Sequence, residues 1–405
     1  MRALLITDWM AGSGGAESYI SWVREGLRAA GDEVSLLTST AGTAGDGRAD
    51  YRAYGTDRVA AQALLQIVNP FAVAQARRAV RAFRPQVVLV NMFEHHLSPA
   101  ILAPLRGVPT VLTVTDYKCV CPIGSKLLPD GRRCTARAGA VCWRSGCVGL
   151  AHWLRDRPRY ALIRSGLKGV DRVLACSDWV RRELAANDIA AEVLPLGVPA
   201  PGPDFRRTPA RDPLFVYCGR FDVEKGVDLF LRAFARVRAG TPGACLRLVG
   251  RGPLRPMLDR LVGELGLDGA VTFRGWVPPA EVERELMDAW ALVVPSRWAE
   301  PLGLVALEAI TRGVPVIASA DGGLGEAVEG GAGLLFPNGD EDALADRMLA
   351  IATGRAFPQR SLPDAVVRRA RDTYDLGGHV RALRGILDDV ARGPAPSPGR
   401  RAGLF

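Results

Sequence analysis

Short apolar runs without polar alternation recur along this chain, with helical stretches between them. In the first half they fall at residues 2–7, 33–38, 86–91, 110–114 and 172–176. A strand with one wet face alternates apolar and polar residues. A strand that does not alternate must be buried on both faces, as in a parallel sheet covered by helices on either side. Helix signals fill the gaps. Gly12, Gly14 and Gly15 follow the first run and lead into a helix over 16–30, which Gly31 ends. Asn69 and Pro70 read as the N-cap and first-turn proline of a helix reaching residue 83, and another helix follows Ser177.

The pattern then stops and restarts. Residues 199–213 are rich in proline and poor in periodic apolar positions, so they read as a linker. Beyond them, strand-like runs return at 214–218, 246–249, 271–273, 291–294 and 315–318. A chain of 405 residues is long for one hydrophobic core and comfortable for two. The fold class is therefore α/β, with two doubly wound Rossmann-like domains, 1–198 and 214–361, facing across a cleft. In such sheets ligands bind outside the carboxyl ends of the strands. Residues 362–391 read as a helical segment packing back toward the N-terminal domain. Residues 392–405 form a Pro/Arg-rich tail that reads as disordered.

Apolar residues make up 48% and charged residues 23%, which fits a soluble globular protein. The net charge of +9 favours phosphate-bearing partners: nucleotide-sugars, anionic lipid or nucleic acid. No finger spacing and no basic segment interleaved with aromatics is present, so nucleic acid is not expected. Arginine is spread along the whole chain, and composition alone also accounts for the charge. No apolar run approaches the roughly 20 residues needed to span a bilayer. The first apolar stretch, residues 3–6, ends at once in Asp8, unlike a signal peptide. The expected location is cytoplasmic, with peripheral contact at the inner membrane face as a further expectation.

The strongest chemical constellation is EPLGLVALE, residues 300–308. Helical rise would place Glu300 and Glu308 ~12 Å apart, about the span from a ribose across a diphosphate to a hexose. Gly303 lacks a Cβ, so an anion can approach the backbone, and the N–H groups of a helix start there would bind it. On spacing alone an ordinary acidic helix is the better reading. Arg220 and Lys225, in GRFDVEKG directly after the strand at 214–218, change the balance. A guanidinium fork and an ammonium at a strand's carboxyl end suit a diphosphate leaving group; the plain alternative is a surface ion pair involving Glu224. Gly250, in VGRGP, closes the next strand at the same edge. The acidic triplet 340–342 is better read as a helix cap than as a metal site.

The segments GRFDVEKGVD, LRLVGRGP, VTFRGWV, VVPSRWAEPLGLVALEAITRGVPVIASADGGLGEAV and GLLFPNGD resemble the donor-binding half of the family 4 retaining glycosyltransferases, the GT-B group 1 enzymes. GSGGAE, DYKCVCP, CSDWVRREL and LPLGV match more loosely in the first half. The resemblance implies transfer of a hexose from a UDP- or GDP-sugar, with retention, to a lipid-linked, polysaccharide or small-molecule acceptor. It implies that Glu308 holds the ribose and Glu300 the transferred sugar. Arg220 and Lys225 would clamp the diphosphate with the amides around Gly303, Leu304 and Val305. Gly250 would lie beside the donor, and Gly14 and Gly15, in the loop from Gly12, would close over the phosphates. Asp116 joins the catalytic set. A front-face mechanism is implied, in which the leaving phosphate takes the acceptor's proton and no cofactor or divalent metal is required.

Two positions depart from the family. Its His-Asp pair reads Thr115-Asp116 here, and its Pro-Asn-Gly turn reads Pro195-Leu196-Gly197. His95 and His96 stand near enough in sequence to be considered substitutes for the missing imidazole, although a loop histidine pair with no catalytic role is the simpler account.

Five of the eight cysteines crowd residues 117–150. Thiolates of Cys121, Cys134, Cys142 and Cys147 could make one tetrahedral structural zinc site, and a similar cysteine-bearing insertion occurs in a subset of the family. Their spacing is irregular, and free or buried thiols fit it as well. Two other functions remain open at this level. One is an inactive donor-binding partner subunit, motivated by Thr115. The other is a sugar-nucleotide epimerase or phosphorylase on a related two-domain fold; the 300–308 block argues against both of these, and nothing marks a pyridoxal lysine.

Overall fold

The computed structural model describes residues 1–8, 14–41 and 49–393. Gly12, and the tail from residue 394 onward, lie outside the described residues.

The N-terminal domain runs β1 (Arg2–Ile6), α1 (Gly15–Ala29), β2 (Glu33–Ser39), β3 (Tyr51–Ala53), α2 (Val59–Leu65), α3 (Pro70–Phe83), β4 (Val87–Val90), β5 (Thr110–Val114), α4 (Ala140–Arg144), α5 (Leu150–Leu167), β6 (Arg172–Ala175), α6 (Asp178–Ala185) and β7 (Glu192–Val193). Its seven strands form one parallel sheet in the order β3-β2-β1-β4-β5-β6-β7. Asn69 caps α3 by accepting the Ala72 amide at 3.1 Å, and Ser177 caps α6 through Val180. β3 and β7, of three and two residues, carry too little pattern to be legible in the sequence.

The C-terminal domain runs β8 (Leu214–Cys218), α7 (Val227–Gly240), β9 (Cys245–Val249), α8 (Arg255–Glu264), β10 (Val271–Gly275), α9 (Val282–Leu286), β11 (Ala291–Val294), α10 (Leu304–Thr311), β12 (Val316–Ser319), α11 (Gly323–Val328), β13 (Gly333–Phe336) and α12 (Glu341–Ala352). Its six strands are parallel in the order β10-β9-β8-β11-β12-β13. Phe215, Tyr217 and Val293 point into one core, while Leu214, Val216, Leu292 and Val294 point into another on the opposite face. Both faces being dry, the strands have no reason to alternate. Asp340 caps α12 through the Ala343 amide, the role its acidic neighbourhood suggests.

Residues 362–391 are two helices rather than one, α13 (Asp364–Tyr374) and α14 (Leu376–Arg392). They break at Asp375, which caps α14 through Gly378. There the chain bonds both ways to Val198: Val198 N–H to Tyr374 O at 2.9 Å, and Leu376 N–H to Val198 O at 3.1 Å. Val380, Leu383 and Leu387 of α14 lie in the N-terminal core. His379 Nδ1 lies 2.8 Å from Pro195 O and its Nε2 3.1 Å from the Tyr19 hydroxyl; burial holds its pKa down at about 4.

Candidate active site

The cleft lies between the carboxyl ends of the two sheets, and its walls touch. Tyr117 donates its hydroxyl to Ala299 O at 2.8 Å, and Ser177 donates to Pro301 O at 2.6 Å. The Asp178 amide donates to Glu326 at 3.0 Å. A Cβ placed on Gly15 would stand 3.1 Å from Leu304 Cδ1. The first turns of α1 and α10 therefore meet across the cleft. Neither N-cap residue, Gly14 or Gly303, has a side chain to cap with; at α1 the Glu17 carboxylate accepts the Gly14 amide at 3.2 Å, and α10 has no side-chain cap bond. A helix cannot satisfy its own first N–H groups, so two positively polarised helix ends face the same gap.

Gly303 sits at φ +80°, in the left-handed region that glycine tolerates, and α10 begins at the next residue. The helical separation expected for Glu300 and Glu308 is thus corrected. Residues 300–303 precede the helix, and Glu300 forms an isolated parallel bridge with Gly322. Only 304–308 rises helically, because the glycine turn redirects the chain. Gly250 is at φ +139°, where a Cβ would stand 1.8 Å from Gly219 O, so the β8 and β9 ends run too close together for any side chain there.

Glu300 is buried, and its Oε1 accepts from Lys225 Nζ and from Ser296 Oγ, each at 2.6 Å. Burial alone would raise its pKa; the Lys225 charge and these hydrogen bonds overcome that and hold it below the ordinary value. Lys225 Nζ also stands 5.0 Å over the Trp298 ring, which meets Tyr117 edge-to-face at 6.0 Å. Arg297 ties the loop after β11 to the first turn of α7 with a two-pronged pair to Asp228 at 2.6 and 2.7 Å. Arg220 is 55% exposed and pairs with Asp222 at 2.7 Å and Glu224 at 3.4 Å. The surface ion pair that is the plain alternative for this motif is therefore present, at the mouth of the cleft. Glu308 lies half-buried on the inner face of α10. Burial raises its pKa to about 7, with Arg312 opposing and Glu283 adding. Its charge in turn raises the half-buried Cys218 thiol at the end of β8, after desolvation itself.

On the N-terminal side, Asp116 belongs to a cluster that sequence reasoning identified only in part. Asp8, just past β1, accepts the backbone amides of His95, His96 and Leu97 at 2.7, 2.8 and 2.8 Å. Glu94 accepts from the Cys119 thiol at 2.8 Å and the Phe93 amide at 3.0 Å. Burial, with the Asp116 charge adding, raises Glu94 to about 8. Burial also raises Asp116, against the Lys118 amide that donates to it at 2.8 Å. His95 belongs to this cluster; burial lowers it to about 4, with the Asp8 charge opposing. His96 turns its ring toward Asp57, 3.9 Å away. Thr115 donates to Asn91 Oδ1 at 3.4 Å, while the buried Asn91 Nδ2 has no partner among the described residues. The strand-end rule that singles out Arg220 also points to Asp8 and Glu94. Their convergence with Asp116 needs the fold.

Cys121, Cys134, Cys142 and Cys147 gather in one region. After burial, the neighbouring thiols further raise Cys142 and Cys147. No group of three or more His, Cys, Asp or Glu among the described residues is arranged to hold a metal ion, so the residues do not fit a zinc site as they stand.

Two family models match. Residues 204–371 match "Glycosyl transferases group 1", and residues 14–197 match "Glycosyl transferase 4-like domain". Among curated relatives, the GDP-mannose-dependent alpha-(1-6)-phosphatidylinositol monomannoside mannosyltransferase of Mycolicibacterium smegmatis is 33% identical over 52% of this chain and 59% of its own length. The 2-deoxystreptamine N-acetyl-D-glucosaminyltransferase of Streptomyces fradiae is 32% identical over 59% and 60%. The chain thus spans about three fifths of these relatives' lengths. Among solved structures, the sucrose-phosphate synthase of Thermosynechococcus elongatus superposes with a TM-score of 0.74 at 24% identity, covering 96% of this chain and 99% of that one. HepE of Anabaena, solved in complex with UDP, gives 0.70 at 17% identity, covering 96% and 100%.

Proposed function

The chain belongs to the group 1 glycosyl transferases, and from that premise we propose that it transfers a hexose from a UDP- or GDP-sugar to an acceptor hydroxyl with retention at the anomeric carbon. The observation that carries the reading is the meeting of two helix N-termini at Gly15 and Leu304, next to the Lys225–Glu300 pair.

The donor diphosphate lies between those helix ends, bound by the amides of Leu304 and Val305 and approached closely over Gly303. Lys225 gives one hydrogen bond to Glu300 and keeps two more donors for phosphate or sugar oxygens. Arg220, at the cleft mouth, exchanges its carboxylate partners for phosphate. Glu308, about one turn into α10, takes the ribose hydroxyls. Glu300 orients the hexose.

In the transfer step the bond between the anomeric carbon and the diphosphate breaks, and the phosphate oxygen keeps the electron pair. The acceptor oxygen bonds to that carbon from the same face and passes its proton to the leaving phosphate oxygen. Positive groups already in place stabilise the charge that develops there. No divalent metal is needed, because Arg220, Lys225 and the helix ends supply the positive charge. Asp8, Glu94, Asn91 and Asp116 offer a polar wall for the acceptor, in which burial favours the protonated forms of Glu94 and Asp116.

The reading is tested by thermal shift against UDP, GDP and their sugars, followed by donor hydrolysis or transfer with whichever sugar stabilises the protein. A well-folded protein that no nucleotide stabilises, and that hydrolyses no donor, overturns it.

A further inference from the structure

Five of the twelve large hydrophobic side chains exposed among the described residues fall in one segment. Tyr54, Val59, Leu64, Val68 and Phe71 all project from the segment that holds α2 and the start of α3, with Val59 82% and Leu64 69% exposed. No residue of α2 is buried. Tyr54 packs edge-to-face on Phe71 at 5.4 Å, so the patch is continuous across the turn. Exposed apolar area of this kind, gathered rather than scattered, marks an interaction surface.

Charge selects the partner. Residues 58–84 contain Arg58, Arg77, Arg78, Arg81 and Arg84, and no Asp, Glu or Lys. Phe71, Arg78 and Arg81 share one stripe of α3 by helical spacing, opposite the fully buried Ala72, Ala76 and Ala79. Arg77, Arg78 and Arg81 line a shallow groove with Ala74 and Ala82. A second copy of so basic a face would repel the first. An apolar strip bordered by arginines matches the interface of an anionic bilayer, where the rings and aliphatic chains enter the acyl boundary and the guanidinium groups meet phosphates.

The helices lie on such a surface rather than cross it. No single helix among the described residues is long and apolar enough to span a membrane, and α2 and α3 are bent 52° apart. The inner face of α3 is committed to the N-terminal core. Trp143, Leu150 and Leu154, at α4 and the start of α5, are also exposed. α3 and α5 pack against the same 3-10 turn, residues 99–105.

The patch also has a fixed place relative to the cleft. Asn69, which caps α3, donates to His96 O at 2.6 Å and to Tyr54 O at 2.8 Å. This ties the start of α3 to the loop whose amides bind Asp8, at the carboxyl edge of the N-terminal sheet. We propose that this face docks on an anionic phospholipid bilayer and presents the Asp8–Glu94–Asp116 mouth to acceptors held in it. The docking stands on the patch itself; the membrane-borne acceptor rests on the transferase reading.

The test is co-sedimentation of the full chain with phosphatidylglycerol or phosphatidylcholine vesicles at low and high salt. The expected result is at least about tenfold more protein on the anionic vesicles, lost at high salt. Leu64→Glu/Phe71→Glu should abolish that binding, and Arg78→Glu/Arg81→Glu should remove the preference for anionic lipid. Both variants should keep the wild-type melting temperature and nucleotide-induced shift. Three results overturn the proposal: no vesicle binding by folded protein, binding unchanged in the two variants, or a dimer in solution that Leu64→Glu dissociates. A protein that binds vesicles but responds to no nucleotide keeps the docking and loses the transferase reading.

Discussion

Lys225 Nζ and Glu300 Oε1 lie 2.6 Å apart, joining the loop after β8 to the loop after β11 at the entrance to α10. Glu300 is buried while Lys225 is partly open, so the carboxylate depends on the ammonium more than the reverse. Removing the ammonium strands a buried charge. Lys225→Ala is expected to lower stability by about 3 kcal/mol and to depress turnover by orders of magnitude. Chemical denaturation and single-turnover transfer measure the two effects separately. Glu300 has its pKa depressed below the ordinary 4.5, so its stabilisation is complete above that value. The contribution fades as pH falls through the lower folded value. A Lys225→Ala protein as stable as the wild type at neutral pH would refute this account of the pair.

Glu308 has the opposite sign. Its folded pKa of about 7 lies above the ordinary 4.5, so the folded state holds a proton that the unfolded chain releases. Its contribution to stability is greatest at low pH and is lost as pH rises from about 4.5 through about 7. Glu308→Gln should therefore raise the melting temperature at pH above 7. It should also weaken nucleotide binding by about tenfold, the worth of a hydrogen bond to a charged group. Calorimetric titration with the nucleotide diphosphate, beside a melting curve, reads both. Equal loss of stability and affinity would mark Glu308 as structural instead.

Asp8 organises the N-terminal wall of the cleft, the proposed acceptor side, through three backbone amides. Asp8→Leu, which removes the acceptor oxygens, leaves those amides buried and unpaired at a cost of about 1–3 kcal/mol each before relaxation. The expected kinetic signature is a raised acceptor KM with nucleotide affinity unchanged, because the donor domain is untouched. A changed nucleotide affinity would show that the two walls are coupled.

In the proposed reaction, the charge that stabilises the leaving diphosphate comes from Lys225, Arg220 and two helix ends. Treating the enzyme with a chelator should therefore leave turnover at its original rate, and adding Mg²⁺ should not raise it. Arg220→Lys keeps the charge but loses the two-pronged geometry, so a fall of about tenfold in kcat with little change in melting temperature is expected. Loss of activity on chelation that Mg²⁺ restores would assign that role to a metal.

Gly15 tests contact between the domains. A methyl there meets Leu304 Cδ1 at 3.1 Å, a side-chain end that can shift slightly. Gly15→Ala should cost little stability, while Gly15→Leu should hold the helix ends apart and raise donor KM. Small-angle scattering of Gly15→Leu should show an expanded particle; an unchanged profile with an unchanged KM would mean the contact is incidental.

The sequence by itself determined what local patterning can encode. Strands dry on both faces show as unalternated apolar runs, so two parallel sheets and the Pro-rich break between them were readable. Asn69, Pro70 and Ser177 announced their helix starts because capping is a matter of adjacent residues. Arg220, Gly250 and Gly303 were legible as strand-end or helix-start residues in the same way. Tertiary structure alone decided which distant segments meet. Two-residue and three-residue strands such as β7 and β3 are fixed by the neighbour they pair with. The Glu300–Lys225 pair joins residues 75 positions apart, and Asp8 bonds to residues nearly 90 away. The buried pKa shifts of Glu94 and Glu308 arise from surroundings that no run of sequence contains. The helical geometry assumed between Glu300 and Glu308 failed for the same reason. Gly303 turns the chain there, and the bridge to Gly322, which belongs to the next strand's loop, holds Glu300 outside the helix.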